Sequence, residues 1–270
     1  MTNIYPTIYL TPISFEKTLE SGGRTKPIIV RIKTNDNTET DQYVVKLYGN
    51  NELGHHSSLR EMLGAKMAIY FDIKSPLPAV MEITSDFVNL AVPGNQKLTL
   101  GYSLGYNYSS TYILGAKIYQ NSSLLLKEYQ DQALSIFAFD LLLCNYDRRN
   151  EKPNLFFDQD GFIVFDHELA FPYSRPISMM NMVPNFKYCS EFRYSFQNHI
   201  LYNELKRHNN FYIEPFLEKL SSFTNSVFDD MLHGLPQEWL SDDIEHIREF
   251  IISTKQNIND FKRCYLEVFA

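Results

Sequence analysis

Residues 141–171 read LLLCNYDRRNEKPNLFFDQDGFIVFDHELAF, and three polar side chains within this run, Asp147, Asn154 and Asp166, decide how the chain is read. The leucines at its start are the end of a buried helix, after which a polar loop leads into two short runs rich in aromatic and branched residues, 155–158 and 162–165. Between them Asp158-Gln159-Asp160-Gly161 has the composition of a turn, with Gly161 able to take positive φ. A hairpin symmetric about Asp160 places Asn154 directly opposite Asp166. Residues so opposed share a face with their Cβ atoms roughly 5 Å apart. That spacing lets two side-chain oxygens chelate one metal ion, with Asp147 on the preceding loop beside it as a base. Such a layout suits phosphoryl transfer.

Working outward, residues 123–145 form the helix that ends at this loop. Leu125, Tyr129, Ala133, Ile136, Phe137, Leu141 and Cys144 follow helical spacing, and the second half is apolar on nearly every side, which requires burial. Asp140 lies inside that apolar half. It must be hydrogen-bonded there, as a brace for the loop at 145–150 and not as a catalyst. Further upstream, Ser21-Gly22-Gly23-Arg24-Thr25 can expose several backbone N–H groups to a phosphate, or simply turn a hairpin. The run QYVVKLY at 42–48 is a strand carrying Lys46 behind two valines, where a phosphate-binding lysine sits on a kinase strand. A helix with one apolar face follows, marked by Leu59, Met62, Leu63, Met67 and Tyr70. Its Glu61 either pairs with Lys46 or closes a capping box with Ser58. The order of glycine turn, lysine strand and glutamate helix favours the pair.

Composition narrows the class. At 270 residues, with 44% hydrophobic and 21% charged side chains, the chain is long enough for one large domain or two lobes. A content of 18 Tyr and 20 Phe against one Trp makes an aromatic core. The net charge of −7 and a pI near 5.5, with no run of Lys and Arg, argue against direct nucleic-acid binding. Cys144, Cys189 and Cys264 have neither metal-ligand nor disulfide spacing, which favours a reducing, cytoplasmic setting. Neither a signal peptide nor an apolar run of about 20 residues is present, so no membrane span is expected.

Asn145-x-Asp147-Arg148, Pro153-Asn154-Leu155 and Phe165-Asp166-His167-x-x-Ala170-Phe171 together resemble the HipA-like kinase family, in its compact stand-alone branch. More distantly they are similar to phosphatidylinositol kinases and protein kinases. The resemblance covers about residues 20–240. It implies a two-lobed α+β, protein-kinase-like fold, with an antiparallel N-lobe sheet plus one helix at 1–92 and a mostly helical C-lobe at 93–270. It implies an ATP- and Mg2+-dependent transfer of the γ-phosphoryl group to a hydroxyl, most often a protein Ser or Thr. Alternatives are a nucleotide-binding pseudokinase or a kinase of a lipid or small-molecule hydroxyl. In this reading Asp147 is the catalytic aspartate, Asn154 and Asp166 are the metal ligands, and Lys46 paired with Glu61 holds the phosphates over the Gly22-Gly23 loop. The partners it implies are an unidentified protein substrate and an antitoxin or other regulatory protein. Asp147 to Asn154 spans seven positions, two more than in protein kinases, which leaves Asn150 as a competing ligand. The Asp166-His167-Glu168 sequence also lacks the glycine of protein kinases.

The remaining stretches set further expectations. Residues 3–10 suit an edge strand and 79–84 another strand, with 87–92 connecting the lobes and hosting the adenine. Residues 101–115 read as an irregular loop. Residues 172–194 take the position of an activation or substrate loop, and Ser21 or Thr25 is a candidate autophosphorylation site. Short amphipathic helices occupy 211–223 and 226–233. The segment Leu235-Pro236-Gln237-Glu238-Trp239-Leu240 resembles a closing element of the same family, and one last helix runs from 241 through Ile258, capped by Ser241-Asp242-Asp243.

Overall fold

A computed structural model describes residues 5–19, 26–33, 40–51, 53–120, 127–172 and 185–270. They fall into two compact units, one drawn from residues 1–66, 76–114 and 232–241, the other from 67–75, 115–231 and 242–270. Each is built on its own sheet. The fold is mixed α+β, with a curled six-stranded sheet in the N-terminal part and a helical C-terminal part, as a two-lobed kinase-like fold requires.

The N-terminal sheet contains β1 (Tyr9–Leu10), β2 (Ser14–Thr18), β3 (Ile28–Lys33), β4 (Thr40–Lys46), β5 (Pro78–Ile83) and β6 (Gly105–Thr111), in the order β1-β5-β6-β4-β3-β2. Neighbours are antiparallel except β1, which runs parallel to β5. Alternation explains the core. Ile28, Val30 and Ile32 of β3, Tyr43 and Val45 of β4, and Ala79, Met81 and Ile83 of β5 share one buried cluster, because a strand turns every second side chain to the same face. Full burial of each branched side chain contributes roughly 1.5–3 kcal/mol. Helices α1 (His55–Tyr70), α2 (Ser85–Ala91) and α3 (Gly94–Gly101) accompany the sheet in sequence.

Residues 232–241 return to this sheet from far along the chain. Thr7 Oγ1 donates to the His233 carbonyl at 2.8 Å and the Tyr9 hydroxyl to the Gly234 carbonyl at 2.9 Å. The buried Trp239 indole donates to the Tyr106 carbonyl at 3.3 Å. The Leu235–Leu240 closing segment therefore completes the N-terminal unit.

In the C-terminal unit, β7 (Lys117–Ile118), β8 (Leu155–Asp158) and β9 (Gly161–Val164) form an antiparallel sheet in that order. Helix α4 (Gln130–Leu143) packs against β9, and every residue of α4 from Ile136 onward is buried. Among the described residues six helices follow: α5 (Ser190–Phe196), α6 (Tyr202–His208), α7 (Glu214–Ser222), α8 (Asn225–Leu232), α9 (Asp243–Gln256) and α10 (Ile258–Phe269). The three cysteines are unpaired and buried.

Several local expectations are corrected. Residues 87–91 belong to α2, which Val92 ends in extended backbone, because Thr84 Oγ1 accepts from the Phe87 N–H at 3.1 Å and Asp86 sits in the first turn, a cap followed by a favourable acid. Residues 105–111 are strand β6, next to β4 and β5, so the sheet runs past the expected boundary at 92–93 and its unit continues to Leu114. The last helix is two, broken at Asn257, whose side-chain amide and backbone N–H both donate to the Ser253 carbonyl. Asp242 precedes α9 without a side-chain capping bond. Strand β2 had no counterpart in the sequence reading. Among the described residues no helix is long and apolar enough to cross a membrane.

Candidate active site

The hairpin pairs Leu155 with Val164 and Asp158 with Gly161, so Gln159-Asp160 is a two-residue loop and the symmetry centre lies between them. Asn154 consequently faces Phe165, whose N–H donates to the Asn154 carbonyl at 3.3 Å, and Asp166 lies one position further along. The direct opposition expected of Asn154 and Asp166 is off by one residue. Both take left-handed backbone, φ 47° at Asn154 and 63° at Asp166, a conformation Asn and Asp tolerate better than most residues. Gly161 at φ 109° closes the loop, and a Cβ there would lie 2.0 Å from Gln132 Oε1. That oxygen accepts from the Phe162 N–H at 3.1 Å, fastening the hairpin to α4.

The loop from α4 to the hairpin is set by a buried charge network. Cys144 ends α4 in left-handed backbone at φ 52°, its N–H bonded to the Asp140 and Leu141 carbonyls. Asp140, fully buried, accepts from Asn145 Nδ2 at 2.9 Å, from Arg148 Nε at 2.6 Å and from Arg148 Nη2 at 3.2 Å. His199 Nε2 lies 2.9 Å from Oδ2, the oxygen that Arg148 Nε also reaches. Arg148, also fully buried, donates through Nη1 to the carbonyls of Asn154 and Phe165, clamping both ends of the hairpin. Burial alone would raise the Asp140 pKa, but Arg148 and His199 hold it well below the usual carboxylate range. Burial lowers that of His199, against Asp140. Asp140 is thus the brace of the loop.

The seven-position span from Asp147 to Asn154 is taken up by a tight turn. Arg149 and Lys152 exchange backbone hydrogen bonds of 3.1 and 3.0 Å, leaving Asn150 and Glu151 at an exposed tip. The turn aims Lys152 back at the carboxylates. Its Nζ lies 2.6 Å from Asp147 Oδ2 and 3.2 Å from Asp166 Oδ2. Asn154 Nδ2 donates to the same Asp147 oxygen at 3.3 Å. Asp147 and Asp166 therefore share one ammonium, with Asn154 bonded to Asp147 beside it. Burial works against the Lys152 charge, yet Asp166 and Asp147 outweigh it and raise its pKa above the ordinary lysine value. Lys152 was not singled out from the sequence; its signal was a cation placed just before Pro153-Asn154 in a loop bounded by acids.

In the N-terminal unit Lys46, the last residue of β4, forms an ion pair with Glu61. Glu61 lies well inside α1, which begins at His55, so it does not cap that helix with Ser58. Its carboxylate is 1% exposed and the Lys46 side chain is 19% exposed. Gly22, Gly23, Ser21 and Thr25 lie outside the described residues, as does most of the 172–194 stretch.

The sequence profile of HipA-like kinases matches residues 17–270, nearly the whole chain. The chain belongs to the HipA-like kinase family. No curated protein matches the sequence. Membership makes the chain a kinase by family, and it gives the loop geometry its chemical context. In this HipA-like kinase the donor set at the hairpin base is made of hard oxygens, an Asp166 carboxylate and an Asn154 carboxamide, the types a magnesium ion prefers. A cation already rests between Asp147 and Asp166, so the charge of the pocket suits a metal ion.

Proposed function

We propose that this HipA-like kinase transfers the γ-phosphoryl group of ATP, with magnesium, to a hydroxyl group, and that the acceptor is a Ser or Thr of a protein. The observation that carries the reading is the convergence of Asp147, Asn154 and Asp166 at the base of one hairpin. Asp147 is the base. Its carboxylate is nine-tenths buried and held by Lys152, so it orients an acceptor hydroxyl and receives its proton. Asn154 and Asp166 would hold the magnesium ion, which neutralises charge on the phosphates when bound. Lys46, fixed by Glu61, supplies a further positive charge for phosphate oxygens, and Gly22-Gly23 their backbone N–H groups. Positioning and charge neutralisation, more than covalent chemistry, are what this transfer asks of a protein. The reading includes a regulatory partner of the antitoxin kind, a cytoplasmic setting and no direct contact with nucleic acid.

The test is transfer of labelled γ-phosphate into proteins of a lysate, comparing wild type with Asp147→Asn. The variant should keep nucleotide binding and lose about 10²–10⁴-fold in transfer, the usual contribution of a positioned base. Binding of ATP by wild type without transfer to any acceptor would replace the reading with that of a nucleotide-binding module.

A further inference from the structure

Lys152 stands where the proposed chemistry needs no lysine. It touches a carboxylate read as the base and one read as a metal ligand, at 2.6 and 3.2 Å. The two carboxylates are 10% and 14% exposed and Lys152 is 35% exposed, so the lysine is the most exposed of the three. Two carboxylates that share one pocket repel each other unless a cation lies with them. Lys152 is a cation that touches both. The tight Arg149–Lys152 turn fixes its backbone, while the four-carbon stem leaves the ammonium able to move.

An ammonium and a divalent ion cannot both sit on Asp166 Oδ2 without repulsion. Resting on the proposed kinase reading, we infer that Lys152 is a built-in competitor of the metal: it holds Asp147 and Asp166 together and must leave Asp166 before a divalent cation is bound. The exchange breaks one ion pair and forms one metal–carboxylate contact, with no covalent change. Lys152 keeps Asp147 as its partner. The loop insertion that carries Lys152 thereby sets the divalent-ion concentration at which the enzyme is assembled.

Mn2+ titrated into nucleotide-free protein, with bound ion read by electron paramagnetic resonance, tests this without turnover. Lys152→Met should bind Mn2+ about three- to fivefold more tightly than wild type, the size expected for a partly exposed ion pair. Lys152→Arg, which keeps the charge, should bind it as wild type does. In wild-type protein, acylation of Lys152 by an amine-reactive reagent, followed by mass spectrometry, should rise when Mg2+ is added. Equal or weaker Mn2+ binding by Lys152→Met, or acylation indifferent to Mg2+, overturns the inference. Asp166→Asn separates the two readings. If it binds Mn2+ as wild type does, the metal assignment has failed and the competition falls with it; if it loses Mn2+ while Lys152→Met matches wild type, only the competition is wrong.

Discussion

Asp140 and Asp147 lie seven residues apart on either side of one helix end, and each is paired with a basic side chain, yet their surroundings differ in kind. Asp140 has no exposure and is held by Arg148, Asn145 and His199. Asp147 is partly open and rests on a lysine one-third exposed, with Arg149 Nη2 no nearer than 3.8 Å. The first set of partners is over-determined and has no room to rearrange. The second can exchange. A buried carboxylate ringed by fixed donors serves geometry, and an accessible one beside a movable cation serves chemistry.

Arg148→Met should break the comparison most severely. It strands the Asp140 charge and also frees the Asn154 and Phe165 carbonyls, and losing one partner of a buried pair costs about 3–5 kcal/mol. Urea unfolding measures it. Adding Asp140→Leu should recover only part of the loss, because the two hairpin carbonyls stay unclamped. A cost below about 1 kcal/mol would mean that Asp140 and Asp147 are not different in kind. Asp147→Asn sharpens the same contrast from the other side. It should lower transfer by about 10²–10⁴-fold, while urea unfolding shifts by less than about 1 kcal/mol.

Gly161→Ala ranks next. The residue has φ 109°, and an added Cβ would meet Gln132 Oε1 at 2.0 Å, so both backbone and space oppose it. A cost of about 1–2 kcal/mol is expected from the backbone alone, read as a lower unfolding midpoint. Gln132→Ala in the same background removes the clash but not the positive φ, and also removes the acceptor of the Phe162 N–H, so it should restore less than the steric share.

The functional stretch was legible because chemistry and buried periodicity overlap there. Asp140 within an apolar helix demanded partners, and Gly161 announced the turn. What escaped the sequence was a matter of register and reach. One residue of turn length decides whether Asn154 faces Asp166 or Phe165, and composition permits both. The seven-position gap was visible, but not that Arg149 and Lys152 would close it as a turn and send an ammonium to the acids. The pairing of Lys46 with Glu61 was legible from their order, whereas the helix capped at Thr84 was not read from the sequence. The β6 run, GYNYSST, is poor in the branched residues that mark strands, and only its neighbours β4 and β5 make it one.

The smallest expected effect concerns His199 and acid. Its Nδ1 accepts the Leu201 N–H at 3.2 Å, so Nε2 carries the proton and donates to Asp140. A protonated ring would aim a second N–H at that backbone donor. The neutral ring is thus built into the fold, in agreement with a pKa that burial lowers below its ordinary 6.5. Above pH 6.5 the native and unfolded chains are both neutral at His199, and its share of stability is complete. As the pH falls below 6.5 the unfolded chain takes up the proton first, so stability declines until the folded pKa is reached, at up to about 1.4 kcal/mol per pH unit. Asp140, lowered from 3.8, acts in the same direction only below that value. His199→Gln retains an N–H for Asp140 and cannot titrate. It should therefore flatten the urea stability curve just below pH 6.5 while leaving the steeper loss below pH 3.8; an unchanged slope near pH 6 would show that the fold does not shift the His199 pKa, and a steeper one that His199 is protonated in the fold and that the brace is a three-charge cluster.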